Sequence, residues 1–171
     1  MSDIFQAKIQ SFAASATGNS ATIEDFKKVY ENNRHRVYSF AFWMTDNELA
    51  AEEISEATFR RVFAFSEAPA EEVVDRLLLS EIREIVPVGV LSLNCAVATE
   101  IESVRTNVKR VHLERAVVQL PATERMIFVM HDGEGYAHER IARTLGISEE
   151  ESCQGLHQAR LRIRELVSQM K

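Results

Sequence analysis

The chain has 171 residues, 46% of them hydrophobic and 27% charged, an ordinary balance for a folded protein with one core or two small ones. A formal net charge of -6 excludes a global positive field that would draw the molecule to nucleic acid or to an anionic membrane, so any contact with DNA has to be local. Its two cysteines, Cys95 and Cys153, are too few for a disulfide framework and too far apart for a CxxC pair, so neither a disulfide scaffold nor a structural zinc site is expected.

The opening stretch MSDIFQAKIQSFAAS lacks the basic start and unbroken apolar run of a signal peptide, and Thr17 to Ala21 is a cluster of helix breakers. Residues 1–21 are therefore expected to be an arm, and the protein cytoplasmic. From Ile23, the residues Phe26, Val29, Tyr30, Val37, Phe40, Ala41 and Met44 recur at helical spacing, with Thr22 as the expected N-cap. The spacing predicts one long helix or a closely joined pair. The aromatic residues of this stretch, with Phe59 and Phe63, are most simply core; so is Trp43, although an exposed tryptophan would make a good partner contact.

Thr45-Asp-Asn-Glu48 offers a second cap, before an amphipathic segment through Leu49, Ile54, Ala57, Phe59, Val62 and Phe63. A third helix is predicted from Ala70 to Ile85, where Pro87 and Gly89 break the pattern. The apolar stretch Ile85 to Ala98 is interrupted by Pro87, Gly89, Ser92 and Asn94 and is shorter than the roughly 20 residues a membrane span requires. It is read as part of a linker, 87–108, between helical domains at 22–86 and 109–171.

The helical pattern resumes from Ile101 and runs through Val117 and Leu120 to Pro121. A short helix is expected from Thr123 to His131, ended by Asp132-Gly-Glu-Gly135, and another from His138 to Leu145. Gly146-Ile147 forms a turn, and Ser148-Glu-Glu-Glu151 is a capping box that opens the last helix. Helix, tight turn, helix is the spacing of a helix-turn-helix. Ser152, Leu156, Ala159, Ile163 and Leu166 share one stripe of the last helix, so Glu150, Cys153, Gln154, His157, Gln158 and Arg162 are expected on its other faces, where DNA would lie.

Two stretches together resemble the extracytoplasmic-function family of bacterial RNA polymerase sigma factors. Ala51-Glu-Glu-Ile-Ser-Glu-Ala-Thr-Phe59 is similar to that family's A-E-D-L-x-Q-E-x-F in region 2. Leu120-Pro121, Arg125, Phe128, Glu134-Gly135, Ile141-Ala142 and Leu145-Gly-Ile-Ser148 hold the places of its region 4 pattern. The resemblance implies an all-α fold of two small helical domains. It further implies binding of core RNA polymerase, with Glu52, Glu53, Glu56 and Phe59 on the β′ clamp helices and region 4 on the β flap. Promoter reading would fall to Glu150, Cys153, Gln154, His157, Gln158, Arg160 and Arg164, and an anti-sigma factor is a further implied partner.

The departures carry equal weight. Cys153, Gly155 and Gln158 stand where the family has cations, and three glutamates, Glu149 to Glu151, occupy a helix N-terminus where phosphate would otherwise dock. Each good bidentate base contact contributes roughly 1 to 3 kcal/mol of discrimination, so promoter binding is expected to be weakened. Val86 to Ala98 holds neither the aromatic platforms nor the cations that capture single strands. The alternative reading is a degenerate sigma-like protein acting as an interaction module without promoter recognition; a free-standing helix-turn-helix repressor is a third.

Arg160, Arg162 and Arg164 make a basic tail that serves either phosphate or neighbouring acids. His138-Glu139 begins an H-E-x-x-H pattern, but its second ligand place is Ala142, and His35, His112, His131 and His157 have no ligand spacing. No glycine-rich phosphate loop and no G-x-S-x-G elbow occurs, and Cys95 lies in an apolar run that would raise its pKa. The chain is therefore read as non-enzymatic and without a cofactor.

Overall fold

The computed structural model describes residues 20–65, 68–86 and 110–170, with side chains from Glu24 onward. The expected arm 1–21, apart from its last two residues, and the expected linker 87–108 lie outside them. Among the described residues the structure is helical throughout: α1 (Ser20–Thr45), α2 (Glu48–Val62), α3 (Glu71–Ile85), α4 (Arg110–Val118), α5 (Ala122–Phe128), α6 (His138–Leu145) and α7 (Glu149–Gln169), with a π turn at Val129–Gly133 after α5.

The first three helices pack on one another as a group. The expected long helix is a single one, starting at Ser20 rather than after a Thr22 cap. It ends at Asp46, whose backbone turns left-handed at φ 52°, and Asn47 then caps α2 by accepting the Ala50 N–H at 3.0 Å. Val37, Phe40, Ala41 and Met44 of α1 meet Ala51, Ile54, Phe59 and Val62 of α2 and Val74, Leu78, Leu79 and Ile82 of α3 in the interior. At the far end of α1, Tyr30 sits edge-on to Phe59 at 4.8 Å and Phe26 edge-on to Phe63 at 5.9 Å, which confirms these aromatics as packing residues. Arg61 clips α2 to α3 through Glu81 at 2.7 Å and Ser80 at 3.1 Å.

The second group wraps α4, α5 and α6 around α7. The helix expected over Thr123–His131 is shorter than that. It stops at Phe128 and widens into the π turn, so that the Glu134 N–H reaches back to Val129 O at 3.0 Å and the Tyr136 N–H to Met130 O at 2.9 Å. The widened turn carries the chain inward and buries Tyr136.

Helices α4 and α5 touch α1, and α6 touches α3, so the two groups abut. Arg125 of α5 secures this junction. Its guanidinium donates to Met44 O at 3.1 Å and Trp43 O at 3.5 Å, carbonyls of the last turn of α1, and to Leu120 O at 3.0 Å and Val118 O in its own group. Four carbonyls at the ends of two helices thereby gain a charged donor.

Candidate nucleic-acid interface

The turn between α6 and α7 follows from three residues. Gly146 adopts φ +73°, a left-handed conformation that costs glycine little, and its N–H and that of Ile147 close on Ala142 O at 2.9 and 3.1 Å. Ser148 then starts α7 with a complete capping box: its hydroxyl accepts the Glu151 N–H at 3.1 Å, and the Glu151 carboxylate accepts the Ser148 N–H at 2.7 Å. Hydrogen bonding from the Ser148 backbone N–H, and then from its side chain, holds the Glu151 carboxyl below its usual pKa. His138, at the start of α6, meets the buried Ser152 hydroxyl at 2.9 Å and stacks on His131 at 4.7 Å, fixing α6 across α7. Burial, followed by the nearby His131 and Arg160, pushes the His138 imidazole below its ordinary pKa.

Along α7, Ser152, Gly155, Leu156, Ala159 and Ile163 are buried. Gly155, which stands where the resemblance puts a cation, lies on the buried side of α7. Glu150, Cys153, Gln154 and Arg164 are exposed, while His157, Gln158 and Arg160 are partly covered. Gln154 donates to Glu150 at 3.1 Å along the helix.

Two of the three arginines in the basic tail are held by acids of their own chain. Arg160 grips Asp132 of the π turn with two bonds, Nε to Oδ2 at 3.0 Å and Nη2 to Oδ1 at 2.6 Å. Although burial opposes it, bonding to Arg160 and His131 keeps the Asp132 carboxyl below its usual pKa. Arg162 reaches Glu124 of α5 at 2.8 Å. Glu124 is only 5% exposed, and burial raises its pKa despite the arginine. Arg164, like Arg162, is exposed.

On α2, Leu49, Glu52, Glu53, Glu56 and Arg60 recur at helical spacing along one side, and Leu49 is 66% exposed. Glu56 pairs with Arg60 at 3.6 Å. Phe59, which the resemblance placed with the glutamates, is 2% exposed and packs against Tyr30; it supports the acidic side from beneath and does not reach the surface.

One cluster has no counterpart among the expected sites. Asp75 of α3, 4% exposed, accepts from Arg36 of α1, from Arg140 of α6 at 2.6 Å and from the Tyr136 hydroxyl at 3.3 Å. Arg140 also reaches Glu71 at 2.9 Å and lies 3.8 Å from the centre of the Tyr136 ring, a cation–π contact. Burial opposes the charges of Arg36 and Arg140, yet bonding to Asp75 leaves the pKa of each above its usual value. Burial raises the Tyr136 phenol strongly. A signal for this cluster was present: Asp75 shares the stripe of Leu78, Leu79 and Ile82, and a carboxylate inside an apolar stripe requires partners.

Among the described residues, no helix is long and apolar enough to cross a membrane, and no three His, Cys, Asp or Glu side chains are placed to hold a metal. Residues 110–163, spanning α4 to most of α7, match the family model for sigma-70, region 4. The C-terminal group, with its helix-turn-helix, is thus similar to sigma-70 region 4. The chain is similar in fold to the sigma factor RpoE from Bartonella quintana, solved in complex with the anti-sigma factor NepR. The TM-score is 0.63 at 17% identity, over 85% of this chain and 98% of that one. The resemblance to the extracytoplasmic-function sigma factors seen in the sequence therefore stands on a region 4 match and a shared all-α fold.

Proposed function

We propose that the protein is a sigma factor of the extracytoplasmic-function type that binds core RNA polymerase and directs it to promoters. The observation that carries this reading is the intact helix-turn-helix of a matched region 4, with its left-handed Gly146, the Ser148–Glu151 capping box and a long α7 presenting Glu150, Cys153, Gln154 and Arg164 outward. Polymerase would engage the side of α2 bearing Leu49, Glu52, Glu53 and Glu56, an exposed leucine set among carboxylates. The domain division in this reading is an arm at 1–21, a region 2-like domain at 22–86, a linker at 87–108 and a region 4 domain at 109–171. The protein acts without catalysis, in the cytoplasm, and an anti-sigma factor is a natural further partner, since the RpoE it resembles was solved with one.

A second reading has specific support. Arg160 and Arg162 are occupied by Asp132 and Glu124, and three glutamates open α7, so this α7 offers little positive charge to phosphate. On that reading the chain keeps polymerase contact but not promoter recognition. Retention on core polymerase followed by run-off transcription from a broad promoter pool separates the two: a transcript supports the sigma factor, retention without transcript supports the second reading, and no retention rejects both.

A further inference from the structure

We infer, on the basis of the promoter-reading function proposed above, that α7 selects bases presenting an amino group in the major groove: cytosine at Glu150 and adenine at Gln154, where an arginine would select guanine. From Glu149 to Gln158 the helix carries no lysine or arginine. The guanidinium fork that reads the O6 and N7 acceptors of guanine is therefore missing from its first turns, the part of such a helix that meets base edges. The exposed side chains there are Glu149, Glu150, Cys153 and Gln154. Glu149 interacts with His138 at the start of α6, and the half-buried Glu151 is taken up by the capping box. Glu150 and Gln154 remain as the polar pair on the outward face.

Gln154 Nε2 donates to Glu150 Oε1 at 3.1 Å. A carboxylate only accepts, so the amide has to turn its nitrogen to Glu150, which fixes how the rest of it faces. One N–H and the Oε1 acceptor are left over. They match the N7 acceptor and the N6 amino donor of adenine, the pair that an amide reads bidentately. Glu150 keeps lone pairs beyond the bond from Gln154, and these suit the N4 amino group of cytosine. Four residues separate the two side chains, about 6 Å along the helix, against about 3.4 Å per base-pair step. They therefore address neighbouring or next-neighbouring pairs. Guanine presents only acceptors on this edge, so its O6 and N7 repel the carboxylate and the outward amide oxygen alike. Specificity is a difference of affinities, and this repulsion sharpens the choice together with the matched bonds. The same carboxylates weaken the hold on phosphate, which makes α7 a selective reader of low affinity.

Selection from a randomised duplex library at low salt tests this preference, with the full chain alone and with core RNA polymerase added. The parent is expected to enrich a site that carries cytosine and adenine as neighbours or next-neighbours on one strand. Gln154→Ala should lower the preference for that adenine by about tenfold, and Glu150→Arg should exchange the cytosine for guanine. Both residues are exposed and stand outside the Ser148–Glu151 capping box, so neither change touches what folds the helix. An enriched site with guanine at those positions, or one in which either variant leaves its base unchanged, overturns the base preference while promoter reading stands. No enrichment in either condition overturns promoter reading and the base preference together.

Discussion

Arg160 of α7 holds Asp132 of the π turn through two parallel bonds at 3.0 and 2.6 Å, so an arginine on the second helix of the helix-turn-helix is neutralised by its own domain. Such a fork is directional and stronger than a single contact, though its partial exposure screens it. Asp132→Asn is expected to cost about 0.5 to 1 kcal/mol in urea unfolding and to steepen the salt dependence of any duplex binding, because Arg160 is released to phosphate. The folded Asp132 pKa is depressed, so its contribution is present above the unfolded carboxylate range and is lost as pH falls through the folded value. The acid limb of the stability profile should therefore flatten in the Asn variant.

His138 titrates with the same consequence for acid by a different route. Its folded pKa lies below the ordinary 6.5, so the unfolded chain takes up the proton first and stability falls as pH drops below about 6.5. His138→Gln keeps a partner for the Ser152 hydroxyl and should remove that fall. Thermal melts between pH 5 and pH 7 check it, with a slope in the parent and a flatter line in the variant.

Arg125 serves four carbonyls at the meeting of α1, α4 and α5. Arg125→Ala strands those carbonyls and is expected to cost about 3 kcal/mol, and Arg125→Lys should recover only part of this, because an ammonium cannot span the same fork. Denaturant unfolding of the three proteins gives the ranking.

The α6–α7 turn is the region where sequence and structure agree most closely. Ser148→Ala removes one half of the capping box and should cost about 1 kcal/mol; Gly146→Ala forces a Cβ into a left-handed backbone and should cost about 1 to 2 kcal/mol. Duplex or polymerase binding should follow stability in both variants and not fall further.

The agreement there has a physical cause. Caps, turns and periodic apolar stripes are local, so the Ser148–Glu151 box, the Gly146 turn and the buried face of α7 were legible residue by residue. The π turn was not, because Val129 to His131 continue the helical pattern and Asp132-Gly133 signals only where the helix ends, not that it widens first. Long-range choices were also invisible. The alternating arginines of α7 gave no hint that Asp132 and Glu124, far along the chain, would take two of them, and the buried face turned out to include Gly155. Phe59 showed the limit of reading a motif as a surface, since its helical spacing served the core equally well. Asp75 was legible in part: its place in an apolar stripe demanded a partner, but nothing local named Arg36, Tyr136 or Arg140.

The account turns on whether the acidic side of α2 engages core RNA polymerase. The affinity of core polymerase for the intact protein, measured against Leu49→Ala with Glu53→Lys, tests it most directly, since both side chains are exposed and the change leaves folding intact. The account predicts retention of the parent on core polymerase and a loss of about tenfold or more in the variant, as for an anchor and a charge in one interface. Equal binding of the two proteins, or no binding of either, would contradict it.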